Sequence, residues 1–113
     1  MNDHTMLNLD RQFYLIITDH KSGAYVPEQN VCEMDRAKVI KDIAEAQYAD
    51  VVAVIEFNPA EHSSRDVTAD VMSEVLARWE DTRGDDFSRW QIEAIEHHFG
   101  IRAANKYRQR EDA

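Results

Sequence analysis

The chain has 113 residues, enough for one domain that buries roughly 60 to 70% of the surface its unfolded form would expose. Thirteen basic residues against twenty-two acidic ones leave a net charge of -9, which repels phosphate backbones and argues against nucleic acid as the partner of the main body. One cysteine excludes an internal disulfide and a cysteine-rich zinc site.

No run of 18 apolar residues occurs, and Met1-Asn2-Asp3-His4 lacks the basic-then-apolar layout of a secretion signal. A cytoplasmic protein that makes no membrane contact is the expectation. The charge is uneven: residues 1–100 carry nine basic and twenty acidic groups, or -11, whereas residues 101–113 carry four and two, or +2.

Residues 1–11 show no usable period and are expected to be a flexible N-terminus, although Met6, Leu7 and Leu9 could fold back on the core. The run Phe13 to Thr18 is aromatic and β-branched, with apolar side chains on both faces, and predicts an interior strand. Asp19 to Gly23 is turn-forming, and Ala24-Tyr25-Val26 returns as an antiparallel partner that Pro27 ends.

Cys32 is expected to be a small buried or half-buried side chain near a helix start, since Glu33 and Asp35 deny it the electropositive setting of a reactive thiol. Ala37, Ile40, Ile43, Ala44 and Gln47 share a helical stripe capped by Asp35, and that helix runs to about Tyr48. It hands directly to Asp50–Asn58, a run apolar on both faces that predicts a central strand covered on two sides.

Residues 58–66 form the longest polar, irregular stretch of the domain, and loops of that length often carry function. His62, Ser64 and Arg65 are its candidates for acyl or phosphoryl chemistry, but no GxSxG elbow or glycine-rich phosphate loop accompanies them. Ser63, Ser64 and Asp66 fit turn and N-cap roles better than catalytic ones. A second helix follows, capped by Asp66 or Thr68, with Val67, Val71, Met72, Val75, Leu76 and Trp79 on its core flank and Arg83-Gly84 at its end.

Past a hinge at Asp85-Asp86, Ser88 and Gln91 form a capping box, with Phe87 stapled against Ile92. The third helix runs to Phe99 and stops at Gly100. It carries more apolar surface than one core needs. Ile92, Ile95 and Phe99 share one side, and Trp90 lies roughly 160° from Ile92 at 100° per residue. Phe87, Trp90, Ala94 and His97, at spacings of three, four and three, are therefore the candidate partner-binding stripe, unless the tail from Ile101 to Tyr107 covers them.

Glu93 and His97 share a helix face but make only half of a metal site, with no HExxH pattern to complete it, so neither metal nor cofactor is expected. Arg102, Lys106, Arg108 and Arg110 make residues 101–113 a basic C-terminal tail or short helix, suited to pairing with the protein's own carboxylates.

The expected fold is α+β: one domain over residues 12–100, with elements β-β-α-β-α-α and a three-stranded mixed sheet of order 2-1-3 packed by three helices. The first and third strands would be parallel through a right-handed crossover, a fully antiparallel sheet being the alternative. The expected function is a small acidic, non-catalytic binding or accessory domain that contacts another protein or a second copy of itself. Two alternatives stand beside it: an acidic inhibitor or nucleic-acid mimic using Asp70, Glu74, Glu80, Asp81, Asp85 and Asp86, and an enzyme of unassigned reaction at residues 58–66.

Overall fold

The structure is a computed structural model that describes residues 8–20, 23–83 and 86–112. Among them lie four strands and four helices: β1 (Phe13–His20), β2 (Gly23–Tyr25), α1 (Arg36–Ala44), β3 (Val51–Asn58), β4 (Ser63–Asp66), α2 (Thr68–Arg83), α3 (Arg89–Phe99) and α4 (Ile101–Asp112). The class is α+β, but the sheet has four strands in the order β2-β1-β3-β4, and every neighbouring pair is antiparallel.

The parallel β1–β3 pairing expected from sequence is thus corrected, for a reason of parity. The β1–β2 hairpin reverses the chain once and α1 reverses it again, so β3 sets out from the end where β1 finished. Thr18 accordingly faces Val51, and Phe13 faces Phe57. A parallel crossover would have needed one reversal fewer. The extra strand comes from the presumed loop: Pro59 to His62 make a tight turn, with His62 at φ 54°, and Ser63–Asp66 return along β3.

Local signals set most helix ends. Asp35 caps α1 by accepting the Lys38 N–H at 2.8 Å. Asp66 accepts the Thr68 N–H at 2.8 Å, while the Thr68 hydroxyl oxygen accepts the Val54 N–H at 2.8 Å, so the cap of α2 also ties that helix to β3. Gln91 Oε1 accepts the Ser88 N–H at 2.9 Å, the backward arm of a capping box, and Gly100 ends α3 at φ 95°. α1 stops four residues short of Tyr48. Ala46 and Asp50, both at positive φ, turn the chain from helix to strand, which costs strain that the surrounding contacts hold in place. The expected stop at Gly84 and the hinge at Asp85 fall outside the described residues.

Of the stretch 1–11, residues 1–7 are outside the described residues. The Leu9 carbonyl accepts the Ala60 N–H at 3.1 Å. Cys32 lies exposed on a single 3-10 turn, not buried as expected, because the turn runs along the edge of β1 and its carbonyl, taken by Arg11 Nη2 at 2.9 Å, is what the fold uses.

The helices pack on one face of the sheet. Tyr14, Ile16, Val51 and Val54 join Val39, Ile43, Val71, Val75, Ile92 and Ile95 in a single core cluster. The alternate residues Leu15, Ile17, Ala53, Ile55 and Phe57 are half-buried and outside that cluster. The central strand is therefore covered by helices on one side only among the described residues, where the sequence implied two.

β2 pairs with β1 only as far as Thr18, and beyond it a side chain takes the place of a strand. Gln29 Oε1 accepts the Ile16 N–H at 2.9 Å and Gln29 Nε2 donates to the Ile16 carbonyl at 3.0 Å. Gln29→Ala is expected to lower stability by about 1 kcal/mol. The amide exchange rate of Ile16 should rise most, as measured by hydrogen exchange alongside thermal melting, and an unchanged Ile16 rate would show that water replaces the amide at no cost.

Candidate functional site

The surface beside α3 forms a groove of about 360 Å³ between that helix and the turn that leads into β3. Its floor is Ile43, Met72 and Trp79, all buried. Trp90, Ala94 and His97 line it from α3, and Tyr48 and Ala49 from the turn. Asp19, Asp50 and Glu93 also contribute, and among the described residues no lysine or arginine does.

Trp79 holds this region in shape. Its indole N–H donates to the Ala44 carbonyl at 3.0 Å, satisfying an end group of α1 from α2. Trp90 stands edge-on to it, with ring centroids 5.3 Å apart and planes at 87°, the arrangement favoured by the ring quadrupoles. Trp90 is nonetheless 42% exposed. Ala94 is half-buried and His97 exposed, with its ring edge-on to His98 at 4.7 Å.

Three of the four residues in the sequence-derived stripe thus meet at one groove. Phe87 does not. It is 5% exposed, stacked on Tyr107 of α4 at 4.4 Å and edge-on to Trp79 at 6.2 Å. α4 covers that end of the stripe because Gly100 turns the chain back along α3. Tyr107 then donates to Glu80 at 2.6 Å and Arg108 pairs with Glu96 at 2.5 Å.

His62, Ser64 and Arg65 do not converge. His62 is exposed on the turn; Ser64 opposes Phe57 and Arg65 opposes Glu56, which puts them on opposite faces of the sheet. On α2, Glu74 pairs with Arg36 and Glu80 accepts from Tyr107, while Arg78 stands between Glu74 and Asp81. Asp85 is outside the described residues. Among the described residues no three His, Cys, Asp or Glu side chains come together as a metal site.

The sequence reading missed Glu56, whose signal was an acid in the middle of an otherwise apolar strand. It is 8% exposed on the helix side of β3. Its Oε1 accepts from Arg65 Nε at 2.8 Å and Gln12 Nε2 at 2.9 Å, and its Oε2 from the Tyr14 hydroxyl at 2.7 Å. Both oxygens accept hydrogen bonds, and through them the carboxylate braces β1, β3 and β4. Arg65 and then Tyr14 hold its pKa below the ordinary value, while burial, helped by the Glu56 hydrogen bond, pushes the Tyr14 phenol up to about 12.

His98 joins α3 to the start of β3, its Nε2–H donating to the Val51 carbonyl at 2.8 Å. Burial lowers its pKa, outweighing the hydrogen bond to Val51, which raises it.

No protein-family model matches this chain, no curated protein matches it, and no solved structure matches it. The groove and the Glu56 brace therefore stand on their own geometry.

The two titrating groups predict separate acid transitions. A depressed folded pKa gives stability that is complete above the unfolded pKa and is lost as pH falls. For His98 the loss begins below its ordinary 6.5, and His98→Gln, which keeps a donor for Val51, should flatten the melting temperature between about pH 7 and 5. For Glu56 it begins below 4.5, and Glu56→Gln should cost about 2 kcal/mol near neutrality while removing part of the lower acid transition. Melting curves across pH that are superimposable on wild type would refute either assignment.

Proposed function

We propose that this chain is a small acidic binding module, without catalysis of its own, that engages another protein through the groove beside Trp90. The observation that carries this is a 42%-exposed indole standing at right angles to a buried one over an apolar floor. Half-exposed tryptophans above apolar depressions are the residues that dominate binding energy when a partner dries them. Trp90, Ala94 and His97 would make the contact, with Phe87 supporting Trp79 from below.

The three carboxylates in the lining favour a partner segment with an apolar side chain flanked by basic ones. The net charge of -9 disfavours nucleic acid. An unpaired, exposed Cys32 suits a reducing compartment, so a cytoplasmic setting belongs to the same proposal.

The test is selection of a displayed random-peptide library on the immobilised protein. Bound peptides should pair an aromatic or leucine residue with lysine or arginine, and should lose about thirtyfold in affinity on Trp90→Ala, the roughly 2 kcal/mol of a binding hot spot. Trp90→Ala should keep its fold, since the side chain is half in water. Failure to select any peptide, or binders indifferent to both Trp90→Ala and Ala94→Arg, overturns the proposal.

A further inference from the structure

The groove beside Trp90 combines two properties that few side chains satisfy together. Its floor of Ile43, Met72 and Trp79 is buried and apolar, so a group that settles on it must shed its water. Asp19, Asp50 and Glu93 nevertheless bring three negative charges to the lining. A purely apolar ligand gains nothing from those charges. An ordinary lysine ammonium is a compact, strongly hydrated ion with three N–H donors, and is costly to bring onto such a floor.

The aromatic side chains complete the site. Trp90 is a 42%-exposed wall contributed by α3, and it meets Trp79 at 5.3 Å with the two planes at 87°, so two indoles bound one corner of the groove. Tyr48, half-buried, lines the side made by the turn into β3. The Trp79 N–H is directed to the Ala44 carbonyl and the His98 Nε2–H to the Val51 carbonyl. Two donors that would repel a cation are thereby taken up within the protein.

We propose that the groove takes the N-methylated ammonium of a lysine side chain on the partner protein, the trimethylated form best. This rests on the reading of the groove as the surface that meets a partner segment, and it names what that segment inserts. Methylation keeps the positive charge and replaces N–H groups by methyl groups, so the cation needs no hydrogen-bond acceptor on the floor. Its methyl groups lie against the rings, whose quadrupoles attract the charge. Charge and apolar surface then arrive in one side chain.

The carboxylates are placed to assist. Glu93 follows Trp90 by three residues on α3 and shares its side of that helix, while Asp50 follows Tyr48 by two in the turn, so an acid accompanies an aromatic residue on each side of the groove. The aliphatic stem of the lysine suits Ala94 and Ala49. At about 360 Å³ the groove is near the small end of ligand pockets, roughly 300 to 1,000 Å³, a size for one side chain.

Titration of the isotope-labelled full chain with N-acetyl-trimethyllysine methylamide, followed by nuclear magnetic resonance of the indole N–H groups, tests this. The chain has two tryptophans, and Trp90→Phe identifies the Trp90 signal by its loss. That signal should move with the methylated probe. The matching unmethylated lysine derivative should bind about tenfold more weakly, and so should an uncharged derivative with a tert-butyl group in place of the trimethylammonium. Trp90→Ala should abolish the preference. Glu93→Gln, an exposed change, should weaken the methylated probe about threefold and leave the tert-butyl one unchanged.

A methylated probe that binds no tighter than the unmethylated or the tert-butyl one overturns the proposal. Choline that binds more tightly than the trimethyllysine derivative would give the site to a free small cation, and overturns it as well. Library-selected peptides that bind through Trp90 while the methylated probe shows no preference would remove this inference and leave the groove as a partner surface intact; no binding by either would remove both.

Discussion

Side chains along a strand alternate between faces, and the rest of this structure follows from applying that constraint to β1 and β3, which pair over almost their whole length. Phe13 to Ile17 of β1 and Val51 to Ile55 of β3 are apolar at every position, so the pair must feed two hydrophobic faces at once. The helices α1, α2 and α3 take up one of them, through Tyr14, Ile16, Val51 and Val54. Leu15, Ile17, Ala53, Ile55 and Phe57 remain on the other, half-buried and outside the helical core. A run apolar on both sides is therefore a statement about demand for cover, and does not say who supplies it.

Within the helical layer, Trp79 does for packing what Glu56 does for the polar groups. The indole reaches from α2 to the C-terminal carbonyl of α1 and presents its ring to Phe87 and Trp90, so three helices are registered by one side chain. Glu56 takes donors from Gln12, Tyr14 and Arg65, and by doing so admits a polar four-residue strand to the edge of the sheet. The two differ in how they fail. Loss of the indole would leave a cavity, whereas loss of the carboxylate charge weakens the hydrogen bond that the buried Tyr14 hydroxyl depends on. A four-residue edge strand made of Ser63, Ser64, Arg65 and Asp66 also discourages edge-to-edge pairing.

The groove and the second sheet face lie on opposite layers and differ in chemistry. One is a cleft, floored by aliphatic and aromatic side chains and edged by carboxylates; the other sets Leu15, Ile17, Ala53, Ile55 and Phe57 between Arg11, which covers Phe13, and Asp66, which opposes Ile55. α4 contributes by occupying Phe87 with Tyr107, which narrows the exposed aromatic surface to Trp90 and so to one end of the cleft.

Features that depend on a few neighbouring residues were legible in the amino-acid sequence. Asp35, the Ser88–Gln91 pair and Gly100 mark helix ends because capping is a matter of three or four residues, and the two-sidedness of α3 follows from its pitch alone. The α+β class and the two long interior strands were readable for the same reason. Direction, count and cover were decided only by tertiary structure. Whether β1 and β3 run parallel depends on how many times the chain reverses between them. Ser63–Asp66 became a strand because Glu56 draws in Arg65, and Phe87 left the surface because a helix twenty residues further on folded over it. Local hydrogen bonding is written in adjacent residues, but burial is a property of whatever arrives from elsewhere in the chain.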